Sequence, residues 1–114
     1  MASIEVTNEV VRVRLSSWER FGALHGDLTF PRSSVVAADA VPDIVDQVRG
    51  VRAPGFGWPS HALVGTWRGR GYRDFVSVYR AQPQGVVVQL KAEAFDRLLL
   101  SCPEPKSVVA ALYA

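Results

Sequence analysis

The residues best suited to chemistry in this chain are arginines set among glycines: Arg68-Gly69-Arg70-Gly71-Tyr72-Arg73. Guanidinium groups pair bidentately with carboxylate or phosphate, and glycine-rich turns can aim successive backbone amides at an anion. The same turn without a ligand is a solvated hairpin tip, and Asp74 beside Arg73 offers charge to offset part of it. Upstream lies a Pro/Gly/aromatic stretch, Arg52-Ala-Pro-Gly-Phe-Gly-Trp-Pro59, followed by His61. Phe56, Trp58 and His61 are candidates for the rim of a ligand site, against the plainer reading that such aromatics pack. Arg68, Arg70, Tyr72, Arg73, Phe56, Trp58 and His61 therefore make up the candidate ligand-binding set.

Catalytic constellations do not emerge. Cys102 sits between an apolar run and Pro103, the setting of an inert buried thiol. Glu5, Glu9, Asp27, Asp43, Asp46 and Glu104 fall at edges and caps, and no two are spaced as an acid/base couple. The Gly-X-Gly steps at 55–57 and 69–71 lack the strand–helix unit of a dinucleotide fingerprint. Two histidines without cysteine or carboxylate at ligand spacing make no metal site. A non-enzymatic protein without cofactor or metal is the expectation.

The elements that would carry these residues are mostly strands. Val11, Val13 and Leu15 alternate with Arg12 and Arg14, and Ile4 and Val6 alternate ahead of a turn at 7–9. Ser16-Ser17-Trp18-Glu19 is a capping box opening a short helix with Trp18, Phe21 and Leu24 on one face, which assigns Trp18 to the core. Strands are expected at 27–30, 33–40, 61–67, 72–80, 85–91 and 98–101, with a short helical piece at 42–48 and a loop over 52–59. Pro105 primes a C-terminal helix with Val108, Val109 and Leu112 at helical spacing. Strand 72–80 is apolar on both faces, so a helix or a second subunit must cover its outer side.

At 114 residues the chain is a single domain spanning 1–114, with 48% hydrophobic and 21% charged residues. Thirteen basic against eleven acidic side chains leave a net charge of +2. That is too little for strong nonspecific nucleic-acid binding, no specific nucleic-acid partner is expected, and membrane association is at most peripheral. One cysteine excludes an internal disulfide, and the N-terminus lacks the regions of a signal peptide, so a cytoplasmic protein is expected.

A series of short antiparallel strands finished by one amphipathic helix resembles the bacterial pleckstrin-homology-like (PH-like) domain. The phrases Gly26-Asp-Leu-Thr-Phe-Pro-Arg-Ser-Ser-Val35, Arg52-Ala-Pro-Gly-Phe-Gly-Trp-Pro59, Gly65-Thr-Trp-Arg-Gly-Arg-Gly71, Arg73-Asp-Phe75, Val86-Val-Val-Gln-Leu90 and Ser101-Cys-Pro-Glu-Pro105 look like a group of small, single-domain actinobacterial proteins of that kind. The resemblance runs from about residue 4 to the end. It implies a PH-like antiparallel β-barrel or sandwich of about seven strands closed by a C-terminal α-helix. It also implies a non-catalytic binding or scaffold role toward lipid headgroups, peptides or proteins. The lysine-rich first hairpin of phosphoinositide-binding relatives is absent, with only Arg12 and Arg14 in its place. The expected partner is an acidic protein or a small anionic ligand met through residues 52–75. The alternative is a small-molecule-binding or enzymatic β-barrel with its pocket near Trp58 and His61. A homodimer would also satisfy the two-sided strand.

Overall fold

Alternation of apolar and polar residues sets the strands, and short turns set their directions. The computed structural model describes residues 1–23, 26–58 and 62–113, with only the backbone described at 21–23 and 52–58. Its nine described strands lie in two sheets. The first sheet is the antiparallel set β1 (Ser3–Val6), β2 (Val10–Arg14) and β3 (Leu28–Pro31), in that order. Helix α1 (Ser17–Ala23) is inserted between β2 and β3.

The second sheet holds six strands: β4 (Val35–Val41), β5 (Val51–Trp58), β6 (Ala62–Gly69), β7 (Tyr72–Tyr79), β8 (Gly85–Leu90) and β9 (Arg97–Ser101). Their spatial order is β4-β8-β9-β7-β6-β5. The chain reverses after β7 and again after β8, so β9, lying between them, runs antiparallel to β8 and parallel to β7. The sheet is therefore mixed at one ladder and antiparallel elsewhere. Helix α2 (Pro105–Tyr113) ends the chain and lies against β4, β8 and β1.

The sequence expectation of a loop over 52–59 is corrected by β5, which pairs with β6 from Val51↔Arg68 to Trp58↔Ala62. The register shifts between Arg52 and Gly55, so Pro54 falls in the bulge of an edge strand. A residue without an N–H is tolerated there because that position need not donate to a ladder.

The core follows from the two-residue period of the strands. Val11, Val13, Leu28 and Phe30 of the first sheet face Val64, Phe75, Val86, Val88, Leu98 and Leu100 of the second, with Leu112 of α2 joining them. The intervening residues Trp67, Val76, Val78, Val87 and Leu99 form a smaller cluster on the other face. A 3-10 turn, Ile44–Gln47, covers that face, and Ile44 is fully buried in it. The outer side of β7 is thus covered within the chain, by the short helical piece expected at 42–48. Burying side chains of this size stabilises by about 1.5–3 kcal/mol each, so both layers contribute.

Trp67 is in the core as expected, whereas Trp18 is not. It is 47% exposed and meets Tyr79 edge-on at 5.8 Å. Among the described side chains of α1, the one turned inward is Glu19, which is 0% exposed. Its carboxylate accepts the Ser16 N–H at 2.9 Å, completing one half of the capping box, together with the hydroxyls of Ser16, Ser77 (2.6 Å) and Tyr79 (2.6 Å). Burial pushes its pKa up, but the hydrogen bonds from Ser77, Tyr79 and Ser16 together outweigh this and hold it below the ordinary value. Burial and the bond to Glu19 push the Tyr79 phenol well above its usual range.

Candidate binding surface at the β6–β7 hairpin

The hairpin is closed by Arg70-Gly71, and Gly71 has a φ of +81°, the left-handed conformation that glycine adopts without strain. Register then fixes the faces: Gly69↔Tyr72, Arg68↔Arg73 and Trp67↔Asp74. Two arginines stand directly opposite each other across an antiparallel ladder.

Behind the tip lies a second layer of charge. Asp74 is 0% exposed. It accepts from Arg49 Nε (2.8 Å) and Nη2 (3.3 Å), and from Arg97 Nε (3.1 Å) and Nη2 (2.9 Å). Arg97 Nη2 also donates to the Gln47 carbonyl at 2.9 Å, tying the 3-10 turn to the hairpin base. The hydrogen bond to Asp74 raises the pKa of Arg49 above its ordinary value, burial working against it. Alternation puts Asp74 on the opposite face of β7 from Arg73, so its charge offsets Arg49 and Arg97 rather than the arginine next to it in sequence.

Tyr72 is packed rather than free. Its ring lies across Gly69, where any Cβ would overlap it, and the Arg49 guanidinium stands 3.9 Å from its centroid. Gly50, at φ +84°, has no room for a side chain either: a Cβ there would fall 2.5 Å from the Arg68 carbonyl and 2.8 Å from the Tyr72 hydroxyl. Tyr72 is therefore fixed in place by Gly69, Gly50 and Arg49, at the edge of the surface.

A shallow depression of about 530 Å³ opens beside the tip, lined by Arg68, Gly69, Gly71, Tyr72, Arg73 and, from the segment Glu93–Asp96, by Glu93, Ala94 and Asp96. That segment is held firmly. Asp96 Oδ2 accepts the Arg73 N–H and its own N–H donates to the Arg73 carbonyl, both at 2.7 Å. Glu93 accepts the Ser34 hydroxyl at 2.6 Å, and Phe95 packs edge-on against Phe75. Two arginines and two carboxylates face the depression, and Arg70, exposed in the turn, adds one positive charge.

The candidate set divides. Arg68, Arg70, Tyr72 and Arg73 come together at the hairpin. Phe56 and Trp58 pair with Val64 and Ala62, toward the other end of β6. Arg68 lies six residue steps along β6 from Ala62, about 20 Å of strand. No side-chain placement is described for these two aromatics, and His61 lies outside the described residues, as do Leu24 and His25. Sequence reasoning missed Arg49, Arg97 and the Glu93–Asp96 wall, whose roles depend on contacts more than twenty residues away. It also missed the Glu19 cluster. The available signal was Ser77, a polar residue inside the apolar alternation of β7. Cys102 is buried as expected, and burial pushes its thiol pKa up. No family model, curated protein or solved structure matches this chain.

Proposed function

We propose that the chain is a non-catalytic PH-like binding module whose β6–β7 hairpin receives an anionic group, foremost the carboxylates of an acidic protein segment. The observation that carries this reading is the Arg68↔Arg73 cross-strand pair, flanked by exposed Arg70 and backed by the Asp74–Arg49–Arg97 network. An anion at the tip would accept charge-assisted hydrogen bonds from guanidinium groups on both strands. Gly71 leaves the backbone of the turn open to close approach, since nothing lies within 4 Å of a Cβ there. Glu93 and Asp96 on the far wall repel carboxylates and so turn an anionic ligand toward the arginines of the tip.

The test uses a hexaglutamate peptide and, separately, inorganic pyrophosphate, titrated into the protein and into the Arg68→Gln/Arg70→Gln/Arg73→Gln variant. Binding of at least one probe to the parent, weakened by salt and lost in the variant, is the expected result. A variant that binds both probes as tightly as the parent overturns the proposal.

A further inference from the structure

A second concavity, of about 360 Å³, lies at the other end of the chain's fold, where β1 and the end of β9 meet the first turns of α2. Its walls are Ile4, Leu100, Cys102 and Val108, with Met1 at the lip. The way α2 is fastened accounts for the gap. Its C-terminal half is tied down: the Tyr113 hydroxyl accepts the Ala38 N–H at 3.0 Å, Arg32 donates to the Ala111 carbonyl, and Leu112 is buried. Nearer its start, Val108 is only half-buried, and so is Ile4 across from it. Protein interiors are close-packed, and an apolar recess of this size falls in the range of small-ligand sites.

The charge at the recess selects its occupant. Glu104 is the one charged side chain lining it among the described residues, and it is exposed at the mouth. The Met1 ammonium is answered by the buried Glu19 carboxylate at 3.7 Å. The Ser101 hydroxyl is engaged with the backbone of Tyr79. We infer that this recess is a binding site for a compact apolar ammonium, its hydrocarbon body between Ile4, Leu100 and Val108 and its cationic head at Glu104. The Cys102 thiol, whose pKa burial pushes up, forms part of the apolar wall.

The probe is n-hexylamine, protonated at pH 7, with hexanol and hexanoate as neutral and anionic molecules of matched length. Amide chemical shifts of the ¹⁵N-labelled chain are followed during each titration. Hexylamine should give saturable shifts at Ile4, Leu100, Cys102 and Val108 and bind most tightly of the three. Glu104→Gln, an exposed change that leaves the fold intact, should weaken hexylamine about three- to fivefold, the scale of one solvent-exposed ion pair, and leave hexanol unchanged. Bound hexylamine should also slow labelling of Cys102 by a thiol reagent. Absence of saturable shifts, hexanoate binding as well as hexylamine, or an unchanged hexylamine affinity in Glu104→Gln overturns the assignment.

Discussion

Replacing Asp74 by asparagine tests whether the charged layer behind the hairpin holds it in place. The carboxylate is fully buried and accepts four contacts of 2.8–3.3 Å from two arginines. Asparagine keeps one acceptor oxygen and turns an amide N–H₂ toward guanidinium donors, leaving donors facing donors. Breaking a buried ion pair by removing one partner costs about 3–5 kcal/mol. Arg49 is 43% exposed and can recover water, while Arg97, at 16%, keeps only its bond to the Gln47 carbonyl. The lower end of the range, about 3 kcal/mol, is therefore expected. For a domain of this size that corresponds to a thermal midpoint lower by on the order of 10 °C. Urea unfolding of parent and variant, read at constant m-value, measures it. Arg97→Met should cost more than Arg49→Met, following their burial. A loss below about 1 kcal/mol for Asp74→Asn, the level of an exposed pair, would refute the reasoning.

Two further predictions concern α1 and the turns. Glu19 has a folded pKa held below its ordinary value of 4.5, so the stability it contributes is fully present above that pH and is lost as pH falls through the folded value. The difference in urea midpoint between parent and Glu19→Gln should accordingly narrow below pH 4.5; parallel profiles would contradict it. Asp27, whose pKa is lowered chiefly by the Leu15 N–H, titrates in both proteins and cancels from the comparison. Gly50→Ala and Gly71→Ala both place alanine at positive φ, which costs about 1–2 kcal/mol. Only Gly50→Ala also meets the Arg68 carbonyl and Tyr72, whereas nothing lies within 4 Å of a Cβ at Gly71. Thermal melts should rank Gly50→Ala as the more damaging, and equal losses would rule out the close packing of Tyr72.

Much of the fold was legible because β1, β2 and β3 alternate cleanly, and the two-sided apolar pattern of β7 foretold a cover on its outer face. What it could not reveal was that Ile44 supplies that cover from within the chain. The Pro/Gly composition of 52–58 masked β5, since an edge strand tolerates Pro54 at a bulge where a central strand would not. Trp18 was misplaced for a related reason. Helical spacing marks an apolar face, but Ser77 and Tyr79, 58 and 60 residues away, make it favourable to bury Glu19 instead. At the candidate site, the Arg-Gly hairpin was readable from local turn chemistry. Its separation from Phe56 and Trp58 depends on register, and its far wall on the turn after β8, so neither was visible from spacing alone.

The central claim is that anions are received at the Arg68–Arg73 tip. Its most direct test is the amide shift map of the ¹⁵N-labelled chain titrated with hexaglutamate at low and at physiological salt. The prediction is saturable shifts concentrated at Arg68–Arg73 and Ala94–Asp96, diminished by salt and absent in the triple glutamine variant. Shifts spread over the exposed arginines of β2, or centred away from the hairpin and unchanged in that variant, would contradict it.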